Sequence, residues 1–201
     1  MPTFRVIAAA LICAALSGCS SNPFAVSRAA PTSIELPDGM VVTGASGWCV
    51  DPSVSRPSGE TAVVVLGSCA AIGQNALAPR PDVPGVVTVS VEREGAGAPT
   101  PAELESFFVS ETGRAALARD GRAESVEILE TRTENNHLIL HTEDRKPLPG
   151  ASPRTWRALF ALGGRFVSVT LYGLLDEPFD PDDGLATLEA QVARLIAAND
   201  G

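Results

Sequence analysis

Short apolar runs separated by breaks rich in Gly, Pro and Asp occupy the first half of the chain and predict β-strands. The predicted strands cover residues 34–36, 40–43, 48–50, 61–66 and 86–91. The run 61–66 (TAVVVL) is continuously apolar and mostly β-branched, so we expect it to be a central strand. Prolines are concentrated in residues 79–84, which predicts an irregular loop.

Two segments have helical periodicity. Thr100 and Glu103 predict a capping box at the start of the first helix, with Pro101 in its first turn. Gly113 interrupts this pattern and indicates a break into two short helices. The second helix begins at the N-cap residue Asp180 and carries apolar residues on one face up to residue 196.

Between the helices, the pattern predicts two β-hairpins. Residues 125–133 and 137–143 form the first, and residues 154–162 and 165–173 form the second, closed by Gly163-Gly164. The second hairpin is apolar on both faces, so we expect other elements to cover both sides of the sheet. The predicted fold class is α+β, an antiparallel sheet of about six strands layered with two main helices.

The N-terminus has a different pattern. Arg5 precedes an uncharged apolar run of about eleven residues, which is typical of a secretory signal and too short for the ~20 residues of a membrane-spanning helix. The stretch Leu16-Ser17-Gly18-Cys19 resembles the lipobox of bacterial lipoproteins. The resemblance implies that Cys19 carries the lipid and that cleavage occurs just before it. Residues 1–18 are then the signal peptide, residues 19–32 a flexible tether and residues 33–201 a single domain.

The residue after the lipidated cysteine bears on location. Ser20 rather than Asp follows Cys19, and the likeness to enteric lipoproteins implies sorting to the outer membrane, facing the periplasm. The membrane is then contacted through the acyl anchor. The formal net charge of −9 argues against nucleic acid as a partner and against a polybasic grip on anionic lipid.

Cysteine usage agrees with an oxidising compartment. After Cys13 leaves with the signal and Cys19 takes the lipid, Cys49 and Cys69 remain, and we expect them to form one disulfide. Closing a loop of this length stabilises a domain by roughly 3 kcal/mol in the chain-entropy model. The alternatives are two buried thiols or one reactive thiol.

The order of elements is similar to that of the PsbP/Mog1-like family. The features that carry the resemblance are the opening Ile34-Glu35-Leu36-Pro37 and the pair Gly47-Trp48, within residues 33–198. The resemblance implies an antiparallel sheet sandwiched between helices, and a binding or assembly module rather than an enzyme. Cys49 and Cys69 are not part of that family's pattern.

Few residues qualify as candidates for catalysis or metal binding. His137 and His141 have the spacing of helical zinc ligands, but they lie in a predicted strand, where they stand about 13 Å apart. Cys69, if unbridged, could act as a nucleophile with either histidine as the base. The acidic run 176–183 lacks the spacing of a calcium loop, and helix capping explains its C-terminal half.

The sequence therefore favours a lipid-anchored, non-catalytic module that binds another protein of the envelope, without a cofactor or metal. One alternative is a small cysteine hydrolase that uses Cys69 with His137 or His141. The other is a binder of small apolar ligands, with its pocket between sheet and helix under the loop 79–84.

Overall fold

A computed structural model describes residues 29–92 and 99–200 of the chain. The strands are β1 (Ser33–Glu35), β2 (Val41–Thr43), β3 (Trp48–Val50), β4 (Thr61–Ser68), β5 (Gly85–Glu92), β6 (Val126–Glu134), β7 (His137–Asp144), β8 (Ala151–Leu162) and β9 (Arg165–Leu174). The helices are α1 (Cys69–Ile72), α2 (Pro101–Val109), α3 (Glu111–Leu117) and α4 (Pro181–Ala197), with a 3-10 turn at Ala123–Ser125.

The main sheet is antiparallel and has seven strands rather than about six, in the order β3-β4-β5-β9-β8-β7-β6. β1 and β2 form a separate two-stranded sheet. The run predicted as a central strand, now β4, has neighbours on both sides but lies second from an edge, and β9 holds the centre. A run of apolar residues indicates that a strand is buried. Strand order depends on pairings between distant segments, so the run alone does not predict the position of β4 in the sheet.

One face of the sheet packs against α4. Leu188 and Leu195 of this helix have no exposed surface, because they belong to the same apolar core as the inward-facing residues of β4, β5, β8 and β9. Burial of apolar surface contributes about 25 cal/mol per Å², so this core is the main stabilising contribution to the domain. The predicted helix over residues 181–196 and its apolar face are confirmed.

The opposite face packs against the first helical segment. Leu104 and Phe108 of α2 contact Leu138, Leu140 and Leu159 of the sheet, which point away from α4. The sheet is therefore covered on both faces, as the two-sided apolar pattern of the second hairpin predicts.

Local signals in the sequence define the ends of these elements. Thr100 and Glu103 form the predicted capping box of α2, in which the Glu103 backbone N–H donates to Thr100 Oγ1 over 3.3 Å. Gly163 and Gly164 have φ of 57° and 76° in the turn between β8 and β9, a backbone conformation that favours glycine. The predicted break into two short helices is present, but it lies at Ser110, three residues before Gly113, which is inside α3.

Two amide side chains, the buried Gln191 of α4 and the half-buried Asn199 just after it, bond to the segment around β2. Gln191, which has no exposed surface, donates from Nε2 to the Thr43 carbonyl over 2.7 Å. Its Oε1 accepts a hydrogen bond from the Ala45 backbone N–H over 2.8 Å. Asn199 bonds both the N–H and the carbonyl of Val41 in the same way, at 2.9 Å each. These bonds fix the position of the helix end over the sheet.

Within the part of the chain that the structure describes, none of the helices is both long and apolar enough to cross a bilayer.

Candidate functional site

A cleft of about 450 Å³ lies between α4 and the end of the sheet formed by β6 and β7. It exists because α4 packs over β8 and β9, so the neighbouring strands extend beyond the helix. Its floor is apolar and continuous with the core. The floor residues are Ile139, Ala158, Leu188, Val192 and Ile196.

Carboxylates surround this apolar floor. Glu134 stands at the β6–β7 turn, Glu189 on the exposed side of α4 and Asp200 just after the helix ends. All three are exposed, and no Lys or Arg lines the cleft among the described residues. The cleft therefore combines apolar contact with a negative potential, an arrangement that suits an apolar group next to a cation.

His137 lies at the edge of the cleft, and its ring packs against Phe160 with the ring centroids 4.6 Å apart. Burial lowers the pKa of His137 because the charged imidazolium is less well solvated there. The ring is thus held in its neutral form at neutral pH, and it adds an aromatic surface to the cleft wall rather than a charge.

His141 lies in a different cavity, near the start of α4. Its ring stacks on Trp156 with centroids 4.1 Å apart and planes 8° from parallel. Burial, and secondarily the charge of Arg154, lowers the pKa of His141, while Glu130 and Glu143 oppose that shift. Both histidines lie on β7, as predicted, and they line separate cavities rather than one metal site.

Cys49 and Cys69 form the expected disulfide, with Cα atoms 4.8 Å apart. The bond joins the edge strand β3 to α1 and leaves no free thiol at Cys69. Cys69 follows β4, and four strand spacings of about 4.8 Å separate β4 from β7, or roughly 19 Å. The structure therefore does not bring Cys69 together with His137 or His141.

Several other sequence predictions can be located. Asp180 caps α4 by accepting a hydrogen bond from the Asp182 N–H over 2.9 Å, which is the structural use predicted for that part of the acidic run. The loop 79–84 does not line the α4 cleft, which opens beside β7, so a pocket beneath that loop stays a prediction. Cys19 lies outside the described residues.

No model of a known protein family matches the chain, and no curated protein matches it. The interpretation of the site therefore depends on its geometry and chemistry.

Sequence reasoning missed the acidic border of the cleft. No local pattern marks Glu134, Glu189 or Asp200 as residues of a site. A usable signal exists for α4, where Glu189 and Ala193 directly flank the apolar stripe. Their convergence with Glu134 depends on the register of the β6–β7 hairpin against α4, which no local pattern encodes.

Proposed function

We propose that this chain is a lipid-anchored protein of the bacterial envelope, and that its domain is a non-catalytic binding module of the PsbP/Mog1-like α/β/α type. The observation that supports a binding role is the α4 cleft, with its apolar floor and three exposed carboxylates. The lipobox-like stretch ending at Cys19 supports the anchor. Its Ser20 favours the outer membrane, with the domain in the periplasm.

The chemistry of the cleft favours a protein segment as its occupant. Such a segment presents one or two apolar side chains for the floor and a Lys or Arg for the carboxylates of Glu134, Glu189 and Asp200. A cleft of about 450 Å³ accommodates a few side chains rather than a whole helix face. The membrane anchor assists by raising the effective concentration of partners on the same surface.

A cleft-blocking variant tests this role. Ala193 is exposed and lines the cleft, so Ala193→Arg places a bulky cation in it. Ala190 is exposed on the same helix and does not line the cleft, so Ala190→Arg is the matched control. We expect the lipidated wild type and the Ala190→Arg variant to retain a stoichiometric partner from detergent-solubilised envelope. The Ala193→Arg variant should retain at least about tenfold less.

The partner's contact segment is then synthesised as a peptide and titrated against the protein. A triple variant that neutralises the three carboxylates of the cleft, Glu134→Gln/Glu189→Gln/Asp200→Asn, should bind the peptide more weakly at low salt. The difference from the wild type should be smaller at high salt. Equal retention by the Ala193→Arg and Ala190→Arg variants would contradict the assignment of the cleft. A peptide that binds the variant without these three carboxylates as tightly as it binds the wild type would contradict the basic character of the partner.

A small apolar ligand is the second candidate for the same cleft, because the floor is apolar and the volume lies within the ~300–1,000 Å³ typical of ligand pockets. Native mass spectrometry of the protein extracted from envelope separates the two. A bound small molecule that is lost in the Ala193→Arg variant and kept in the Ala190→Arg variant favours the ligand.

The hydrolase alternative is tested by thiol chemistry. A nucleophilic Cys69 requires a free thiolate, so labelling of the unreduced folded protein at that residue would support it. Protection of both Cys49 and Cys69 until reductant is added favours the binding module.

A further inference from the structure

A second cavity lies on the face of the sheet opposite α4. It has a volume of about 250 Å³ and is bounded by α3, by residues 144–148 and by β7, β8 and β9. The α4 cleft and this cavity share no lining residue, so the inference drawn from it does not depend on the proposed function.

Arg157 of β8 lines this cavity. Its neighbours across the sheet are Leu140 on β7 and Thr170 on β9. Leu140 belongs to the part of this face that α2 covers. In the described part of the chain, four arginines have a side chain with neither a hydrogen bond nor an ion pair: Arg56, Arg80, Arg157 and Arg194. The other three are exposed, and Arg157 is half-buried.

A half-buried cation without a partner is unusual in a chain of net charge −9, because partial burial removes hydration that an anion normally replaces. The one carboxylate among the described residues that line the cavity is that of Asp144. It is already engaged, since Oδ2 accepts from the Arg119 N–H over 3.0 Å and Oδ1 from the Lys146 N–H over 2.7 Å.

The cavity offers further donors beside Arg157. Tyr172 lines it, and its hydroxyl has no hydrogen-bond partner among the described residues. Thr142 and Thr155 hydroxyls, 2.9 Å apart and bonded to each other, stand next to it in the same row of the sheet. A guanidinium with adjacent hydroxyls matches the geometry of an oxyanion, which it binds with two parallel N–H bonds.

Much of the remaining wall is apolar, but Ser152 and Arg119 also line it, and Arg119 Nε already donates to the Lys146 carbonyl over 2.8 Å. Leu117 of α3 faces the cavity together with Pro147, Leu148 and Pro153. A ligand that fills the site therefore carries a short apolar portion as well as the anionic group, and the volume limits it to a small molecule or to one side chain or terminus of a peptide.

We infer that this cavity is a binding site for a small organic oxyanion, held by Arg157 and Tyr172 and packed against Leu117. The anionic group is a carboxylate or a phosphate, which share the same guanidinium chemistry. The site lies on the other side of the sheet from the α4 cleft and binds independently of it.

The test uses the full chain purified in a neutral detergent, titrated with butyrate, inorganic phosphate and 1-butanol, and observed by NMR at the Arg157 Nε–Hε group. We expect saturable shifts with at least one anion below about 10 mM and none with 1-butanol. Saturation by butyrate identifies a carboxylate site, and saturation by phosphate alone identifies a phosphate site. Both results support an oxyanion site.

The matched variants are Arg157→Gln and Arg154→Gln. Both remove one positive charge from β8, but Arg154 already pairs with Glu143 over 2.9 Å. Arg157→Gln should raise the Kd about 10- to 100-fold, observed at the backbone amides of Leu117 and Tyr172, and Tyr172→Phe should raise it less. Arg154→Gln should leave the Kd unchanged.

Three results would overturn the inference. One is the absence of saturable binding by either anion. Another is an equal loss of binding in the Arg157→Gln and Arg154→Gln variants, which indicates a diffuse charge effect. The third is binding of 1-butanol as tight as that of butyrate, which indicates an apolar pocket without anion recognition.

Discussion

Gln191 is the polar side chain on which the packing of α4 most depends. It lies in the apolar face of the helix, where an amide is tolerated because both of its polar ends bond to backbone groups, at Thr43 and Ala45. Removing the amide leaves the carbonyl of buried Thr43 and the N–H of half-buried Ala45 without these partners, which costs more than the loss of the bonds themselves.

We therefore expect Gln191→Met, which keeps the volume and removes the polar atoms, to lower the free energy of unfolding by about 2–4 kcal/mol. Urea denaturation followed by circular dichroism measures this. Glu189→Met is the matched control, because the position is exposed on the same helix, and its effect should stay within about 0.5 kcal/mol. A Gln191→Met variant as stable as the control would show that the two bonds contribute little.

Stability should also depend on the histidines between pH 7.5 and 5.5. Burial lowers the pKa of His137 and His141, so the unfolded chain takes up protons first as the pH falls below the ordinary value of 6.5. The free energy of unfolding must then decrease through this window until the pH passes the lowered pKa of the folded state. We expect the double variant His137→Gln/His141→Gln to lose less stability over the same interval.

The comparison is between pH slopes rather than absolute stabilities, because the stack of His141 on Trp156 is lost in the variant. Among the described carboxyl groups, the pKa is lowered from 4.5 for Glu103 and Glu124 and from 3.8 for Asp120, so these groups titrate below the window. Identical slopes for the two proteins would show that the histidines are not the groups responsible.

At the scale of elements, the junction of α2 and α3 depends on Gly113. A Cβ added there would lie 2.0 Å from the Phe107 carbonyl oxygen, a backbone atom that cannot move aside alone. Gly→Ala usually stabilises a helix interior by roughly 0.5–1 kcal/mol, but here the close approach of the two helices reverses the sign.

We expect Gly113→Ala to destabilise the protein by about 1–3 kcal/mol in thermal or urea unfolding. Thr112→Ala, at the exposed neighbouring position, should be neutral or slightly stabilising and serves as the control for helix propensity. A Gly113→Ala protein more stable than the wild type would mean that the helices separate at little cost.

Most element boundaries could be predicted because their signals are local. The capping box at Thr100 and Glu103 and the two-residue turn at Gly163 and Gly164 fix helix start and hairpin register within a few residues. The short helix α1 escaped prediction because four residues carry no periodicity. Strand order, the burial of Gln191 and the isolation of Arg157 depend on contacts between distant segments, and a one-dimensional pattern does not contain them.

The same reason explains why the candidate site was only partly predicted. A space between sheet and helix follows from layered packing, and the sequence led us to expect one. Its position beside β7 and its acidic border follow from how far α4 extends across the strands. The position of α4 on the sheet depends on how side chains pack across the whole core.

At the scale of the whole molecule, the proposed acyl anchor leads to a direct prediction. Cys19→Ser should move the protein from the membrane fraction to the soluble fraction of the envelope, because stable anchoring needs at least two acyl chains and the acidic domain offers no polybasic substitute. Cys13→Ser is the matched control and should leave fractionation unchanged. Mass spectrometry checks the anchor itself, and a wild-type chain without acyl mass and with residues 1–18 intact would contradict it.

If the protein is anchored as proposed, its copies meet at high local density on a surface, and the edges of the main sheet then matter. One edge is β3, which is only three residues long. The other is β6, which carries Glu127, Glu130, Arg132 and Glu134 and has an irregular register between Ile128 and Glu130. Short, charged and bulged edges are poor templates for a strand from a neighbouring molecule. Crowded copies should thus stay separate folded units instead of joining their sheets into aggregates.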